Sequence, residues 1–183
     1  MEKSIIVWLQ NNSNEFLDLF FSGYSYIVSW IGAVFLFACI IIFVNKKFGL
    51  FFGTSFLITI ALNYLLKIIV NRPRPYETNP DIVNKLSTIG KSFPSGHAVS
   101  ITFMILSVLY ILYLQSKKEN FILLKKKWFK VFSIFIAVLL VFVTAIARMY
   151  LGQHYLTDII AGISLSGACF SVSLLILTKA KKQ

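Results

Sequence analysis

Five apolar blocks, each close to 20 residues long, constrain this chain more than any other feature: roughly 24–44, 50–70, 98–114, 128–147 and 155–178. A helix needs about 20 consecutive apolar residues to cross some 30 Å of hydrocarbon. Only 14% of the residues are charged and 57% are hydrophobic, whereas soluble domains carry about 25% charge. Disorder is excluded on the same ground, because a disordered chain is poor in apolar residues. The expected fold is all-α, a polytopic membrane helical bundle of five transmembrane helices, formed as one domain over residues 1–183. Ahead of the first block, residues 5–21 mix Ile5, Trp8, Leu9, Phe16, Leu19 and Phe20 with Asn11, Asn12, Asn14, Glu15 and Asp18. That pattern predicts an N-terminal amphipathic helix at the interface, with a tilted sixth span as the alternative. Its apolar run is too short for a signal-peptide core and no small-residue cleavage pattern follows, so the mature chain is expected to begin at Met1.

The formal net charge is +11, which in a soluble protein would point to phosphate neutralisation on nucleic acid. In a chain of spans the charge sets orientation instead, and no nucleic-acid partner is expected. The connections alternate sides. One side collects Lys46, Lys47, Lys117, Lys118, Lys125, Lys126, Lys127, Lys130, Lys179, Lys181 and Lys182 against a single acid, Glu119, a balance of +10. The other side, with the amino-terminal helix, the loop at 71–93 and the turn around Gly152, holds seven basic and six acidic residues. Positive loops stay in the cytoplasm, so this second side is expected to face outward from the plasma (inner) membrane. Cys39 and Cys169 each lie inside an apolar block and indicate no disulfide framework. The small residues Ala161, Gly162, Ser164, Ser166, Gly167 and Ala168 read as helix packing rather than as a site. Oligomeric state is not legible in the sequence.

Nearly all polar groups close to the spans fall on the outward side, and polar groups there are functional candidates. Lys67 ends the second span and is followed by Arg72-Pro73-Arg74-Pro75, where the prolines stop the helix and hold the arginines in extended backbone. Three cations are thus expected to converge. Pro94-Ser95-Gly96-His97 stands directly before an apolar helix. There Ser95 can cap, Gly96 lets backbone approach closely, and the free N–H groups form a seat for an anion. In the third element, Arg148 to Asp158, His154 and Asp158 are four apart and share a helical face, so the carboxylate can hold one imidazole proton and leave the other nitrogen as a nucleophile. Arg148 adds an anion donor. The chain has only two histidines, and both precede spans on the side that carries the arginines.

These three elements resemble the signatures of the type-2 phosphatidic acid phosphatase family: a lysine and Arg-Pro with six residues between, then Pro-Ser-Gly-His, then Ser-Arg with a spaced His and Asp. Lys67 with Arg74-Pro75, Pro94 to His97, and Arg148 with His154 and Asp158 match in order and spacing, over about half the chain. The serine expected before the arginine is Ala147. The resemblance implies a metal-independent lipid phosphate phosphatase with no cofactor and a phosphohistidine intermediate. His154 would be the nucleophile, Asp158 its orienter and His97 the acid for the leaving oxygen, while Lys67, Arg74, Ser95, Gly96 and Arg148 hold the phosphate. The implied partners are the bilayer and a lipid phosphate: undecaprenyl diphosphate, phosphatidylglycerol phosphate or phosphatidic acid. The bottom-up reading agrees, because phosphoryl transfer needs positioning and charge stabilisation above all. Competing readings are a transporter with an anion path, which predicts charges inside several spans, and an inactive membrane protein that uses the cationic site to bind anionic lipid. Residues 76–93, with Glu77, Asp81, Lys85 and Lys91, form a loop long enough to suggest headgroup selection.

Overall fold

The computed structural model describes residues 2–88, 90–117 and 126–180. Lys118, Glu119, Lys125, Lys181 and Lys182 of the basic face lie outside the described residues. The chain forms α1 (Glu2–Asn11), α2 (Glu15–Ile27), α3 (Trp30–Cys39) continued by a π-helical turn (Ile40–Val44), α4 (Lys46–Val70), the short α5 (Pro75–Thr78), α6 (Gly96–Gln115), α7 (Lys127–Tyr150) and α8 (Leu156–Ala180). Among the described residues four helices are long and apolar enough to cross a membrane, or five if the bent pair α2 and α3 counts as one span.

Several helix starts are set by local capping chemistry. Asn14, Ser29 and Asn45 sit in extended backbone, and their side-chain oxygens accept from the N–H of Leu17 at 2.8 Å, Ile31 at 3.2 Å and Phe48 at 3.1 Å. Each thereby satisfies one of the unpaired donors of a first helical turn. At the other end of α4, Asn71 adopts the left-handed conformation (φ 50°) and its N–H bonds Lys67 O at 3.1 Å.

Two expectations for the amino-terminal region are corrected. Residues 5–21 form not one helix but two, broken at Asn12–Asn14 where Asn14 starts α2. The first block, 24–44, bends by 50° between α2 and α3, because Ser29 leaves helical geometry to cap the new helix. A serine in an apolar run carries no proline-like warning, so this bend is invisible to a hydropathy window.

α6 is the central helix and packs against α3, α4, α7 and α8. An aromatic core fills the inner half of the bundle, with Phe56 and Phe103 at 5.7 Å between ring centroids, Phe52 and Phe170 at 5.5 Å, and Phe103 and Phe170 at 5.6 Å. Outside, α7 leaves Val131, Phe135, Val138 and Phe142 exposed. That surface suits hydrocarbon and not water. Cys39 and Cys169 are free thiols.

Of the small residues in α8, Gly162 and Ser166 turn inward while Ser164 and Ala168 face out. A Cβ on Gly162 would meet Ser95 O at 2.6 Å and Ala98 Cβ at 3.0 Å, whereas Gly167 has nothing within 4 Å. Gly162 is therefore what lets the starts of α6 and α8 touch, and the Ser95 N–H bonds Asp158 O at 2.9 Å across this contact. Gly162→Val is expected to cost about 1–3 kcal/mol by overpacking, read as a lower Tm of the detergent-solubilised protein, with Gly167→Val as the silent control.

Candidate active site

The loop between α4 and α6, the turn between α7 and α8, and the starts of α6 and α8 converge at one end of the bundle. A cavity of about 880 Å³ opens there, lined by Lys67, Arg74, Gly96, His97, Arg148 and His154 together with Asn63, Ser100 and Lys91. Six of the eight predicted site residues thus face one space, although they come from stretches as far apart as 67 and 154. Ser95 and Asp158 do not line it. Both are fully buried behind it, and Ser95 caps α6 through Ala98 N at 3.5 Å.

Lys67 and Arg74 are held largely by backbone carbonyls, which accept their hydrogen bonds without cancelling their charge. Lys67 Nζ donates to Lys91 O at 2.8 Å and Ser92 O at 3.3 Å. Arg74 donates through Nε to Gly90 O at 2.8 Å and through Nη1 to Gln153 O at 3.1 Å and Gln153 Oε1 at 2.9 Å. Arg148 is 1% exposed, and its Nε has no protein partner. Donors that remain unpaired in a buried, cationic recess are available to an anion.

Arg72 departs from the expected convergence. It turns away from the cavity, with Nη1 on Asp158 Oδ1 and on Thr157 Oγ1, both at 2.7 Å, Nη2 on Glu2 Oε2 at 3.2 Å, and its guanidinium 3.9 Å from the Tyr155 ring centroid. The Asp158 carboxylate also accepts from Tyr155 N at 2.9 Å, which closes half of a capping box on α8, and from the Ser92 hydroxyl. His154 Nδ1 is turned toward the same carboxylate at 3.7 Å and has no closer polar partner. The nitrogen left for the cavity is Nε2.

Sequence reasoning missed three supports. Glu2 reaches back from α1 to accept from Thr157 N at 2.8 Å and Thr157 Oγ1 at 2.9 Å. Burial alone would raise its carboxyl pKa, but these bonds and Arg72 outweigh that and lower it. Gln10, also on α1, bonds Val83 and Tyr150 through backbone carbonyls at 2.8 and 2.9 Å. Gln153, fully buried, gathers Arg74, the Thr88 hydroxyl, Asn84 Oδ1 and Leu86 O. Its only sequence signal is its place beside His154. Conversely, Glu77 and Lys85 serve loop architecture, accepting from Arg74 N at 3.0 Å and pairing with Asp18 at 2.8 Å. Of the loop charges singled out, Lys91 is the one on the cavity.

The model of the PAP2 superfamily matches residues 48–182. The chain belongs to that superfamily. Among curated proteins it is 29% identical over 148 residues to an undecaprenyl-diphosphatase of Sulfolobus acidocaldarius, covering 80% of this chain and 62% of the relative. It is 27% identical over 184 residues to a lipid A 4'-phosphatase of Bacteroides thetaiotaomicron, covering 91% and 72%. A phosphatidylglycerophosphatase B of Bacillus subtilis is 34% identical over 116 residues, 63% of this chain and 49% of the relative. The chain thus spans 49–72% of the length of these three relatives. In fold it resembles the crystal structure of a transmembrane PAP2-type phosphatidylglycerolphosphate phosphatase from Bacillus subtilis, with a TM-score of 0.74 at 24% identity over 97% of this chain and 85% of that one. Aquifex aeolicus LpxE gives 0.68 at 24% identity, covering 93% of each chain. The fold is that of a multi-pass membrane protein.

Two outcomes follow from the site's chemistry. Burial above all, then the charges of Arg148, Arg74 and Lys67, hold the His154 pKa well below its usual 6.5 against the opposing pull of Asp158, so the folded imidazole is neutral at pH 7. The unfolded chain takes up that proton near pH 6.5 and the folded one does not, so stability falls as pH drops through the ordinary histidine range. Tm measured from pH 7.5 to 5.0 is expected to fall more steeply for the wild type than for His154→Gln. Gln153→Ala strips several buried donors and acceptors of partners at once and is expected to destabilise by about 2–4 kcal/mol, with loss of protease resistance in residues 84–88 as the local readout.

Proposed function

We propose that this chain is a membrane lipid phosphate phosphatase that removes phosphate from a lipid phosphomonoester or diphosphate through a phosphohistidine on His154. The observation that carries this reading is the meeting of the two histidines with Lys67, Arg74 and Arg148 on one cavity. Three fixed cations and the start of α6 match an anion with three equatorial oxygens, and such preorganised charge is most of what phosphoryl transfer requires.

The bound phosphate's negative charge favours a second proton on His97, at Nδ1; His154 Nε2 then attacks phosphorus, the bond from phosphorus to the leaving oxygen breaks, and the His97 imidazolium gives that oxygen its Nδ1 proton. Water then attacks the phosphohistidine, its proton passes to His97, and inorganic phosphate leaves with His154 again neutral. Asp158, anchored by Arg72, Tyr155 N and Ser92, keeps the His154 ring turned and offsets the positive charge that develops on it. The chain supplies its own cations, and among the described residues no three histidine, cysteine, aspartate or glutamate side chains lie together as metal ligands. The reaction is proposed as metal-independent because Lys67, Arg74 and Arg148 supply the charge that a metal would otherwise bring to the phosphoryl group.

The substrate class follows from the cavity's mouth. We read that mouth as lying between α3 and α4, because the lining residues Trp30, Tyr64 and Ile68 from these helices are largely exposed. A lipid can enter sideways, its phosphate at headgroup depth and its tails still in hydrocarbon. The relatives' names speak of undecaprenyl diphosphate, lipid A and phosphatidylglycerophosphate, three ligands that share an anchored phosphate. We place the site on the outward face of the plasma membrane, from the lysine excess on the opposite face.

Purified protein is expected to release phosphate from one or more of undecaprenyl diphosphate, phosphatidylglycerol phosphate and phosphatidic acid in excess chelator, and to be blocked by vanadate, which takes the five-coordinate shape of the transferring group. No release from any of them, or release that needs added magnesium, overturns the corresponding half of the proposal. Sideways entry predicts a kcat/KM for the long-chain lipid at least about 100-fold above that for glycerol phosphate, since orientation alone contributes several kcal/mol. Comparable values refute it.

A further inference from the structure

Ser25 belongs to none of the three motifs, lies outside the segment matched by the family model, and does not line the cavity. It is nevertheless 1% exposed and touches two residues that do line it. Its hydroxyl accepts from Arg148 Nη1 at 3.1 Å, and its backbone carbonyl lies 3.1 Å from His97 Nε2.

Both contacts arise from the bend between α2 and α3. In a continuous helix the Ser25 carbonyl would accept from the Ser29 N–H. Here that N–H bonds Tyr26 O at 3.3 Å, and the Ser29 side chain caps α3. The Ser25 carbonyl is thereby one of the orphan acceptors of a helix end, and His97 satisfies it. A carbonyl can only accept, so Nε2 of His97 carries the hydrogen and Nδ1 is the nitrogen left to exchange a proton with a ligand. For Arg148, the Ser25 hydroxyl is the side-chain acceptor that fixes how its planar fork is rolled, because Nε makes no bond. A guanidinium binds phosphate oxygens in a defined plane, so fixing the roll prepares the fork before the ligand arrives.

We propose that Ser25 is a positioning residue for both halves of the site: its hydroxyl sets the plane of the Arg148 fork, and its carbonyl, freed by the α2–α3 bend, holds His97 as the Nε2–H tautomer. The proposal rests on the phosphatase reading above, and its test separates the two. The wild type must first turn over a lipid phosphate, and failure there counts against the phosphatase reading alone.

With an active wild type, Ser25→Ala, Ser25→Thr and, as control, Ser22→Ala are compared on that substrate. Ser25→Ala is expected to raise KM and the vanadate inhibition constant by tenfold or more, with a smaller change in kcat, an unshifted pH profile and a Tm within a few degrees of wild type. Ser25→Thr, which keeps the hydroxyl, recovers most of the vanadate affinity, and Ser22→Ala matches wild type. Unchanged vanadate affinity in Ser25→Ala, or an equal loss in Ser22→Ala, overturns the hydroxyl role. The carbonyl role is read separately by ¹⁵N NMR of the two histidines, assigned with His154→Gln. His97 is expected as the Nε2–H tautomer in the ligand-free wild type and in Ser25→Ala alike. An Nδ1–H tautomer in the ligand-free wild type overturns it.

Discussion

The carboxylate of Asp158 is the joint on which the site end of this protein depends. It is completely buried, and a buried charge is tolerable only with partners on every side. Those partners come from separate parts of the chain: Arg72 from the segment after α4, Ser92 from the loop before α6, and the Tyr155 N–H from the start of α8 itself. The Asp158 backbone carbonyl meanwhile accepts from Ser95. Satisfying one acid therefore brings the three motif-bearing segments into register. Glu2 reinforces the same joint from α1, by gripping Arg72 and the Thr157 N–H together.

The bundle divides its labour by depth. Apolar residues dominate its outer surface and an aromatic cluster fills its middle, while hydrogen-bonded charge is concentrated at one end. The loop between α4 and α6 illustrates the division. Its backbone carbonyls at Gly90, Lys91 and Ser92 meet Arg74 and Lys67, and its Asn84 and Leu86 are fastened by Gln153. A segment that hydropathy treats as a connection is a wall of the cavity.

The spans and the motifs were legible in the sequence because their signals are local: 20-residue apolar runs, prolines after Lys67, a serine before α6, and a histidine and an aspartate four apart. Six of the eight expected residues reach the cavity, and the other two stand directly behind it. What sequence did not reveal depends on contacts across long separations. Arg72 is chemically indistinguishable from Arg74 in a run of Arg-Pro pairs, yet one faces Asp158 and the other the cavity, a choice made by the turn geometry after Asn71. Ser25 and Gln10 are polar residues in helices of mixed character and acquire meaning only through neighbours more than 70 residues away. The break at Ser29 had no proline to announce it.

The sideways entry between α3 and α4 proposed above would carry a kinetic consequence. A substrate that arrives through it never crosses bulk water, so the quantity that governs encounter is its mole fraction among the surrounding lipids and not its concentration in the sample. Adding inert lipid slows such an enzyme, while diluting the suspension leaves it unaffected. In the proposed reaction the two products would also part company at the site, inorganic phosphate to water and the dephosphorylated lipid to the bilayer. Such a separation into two phases would disfavour their recombination.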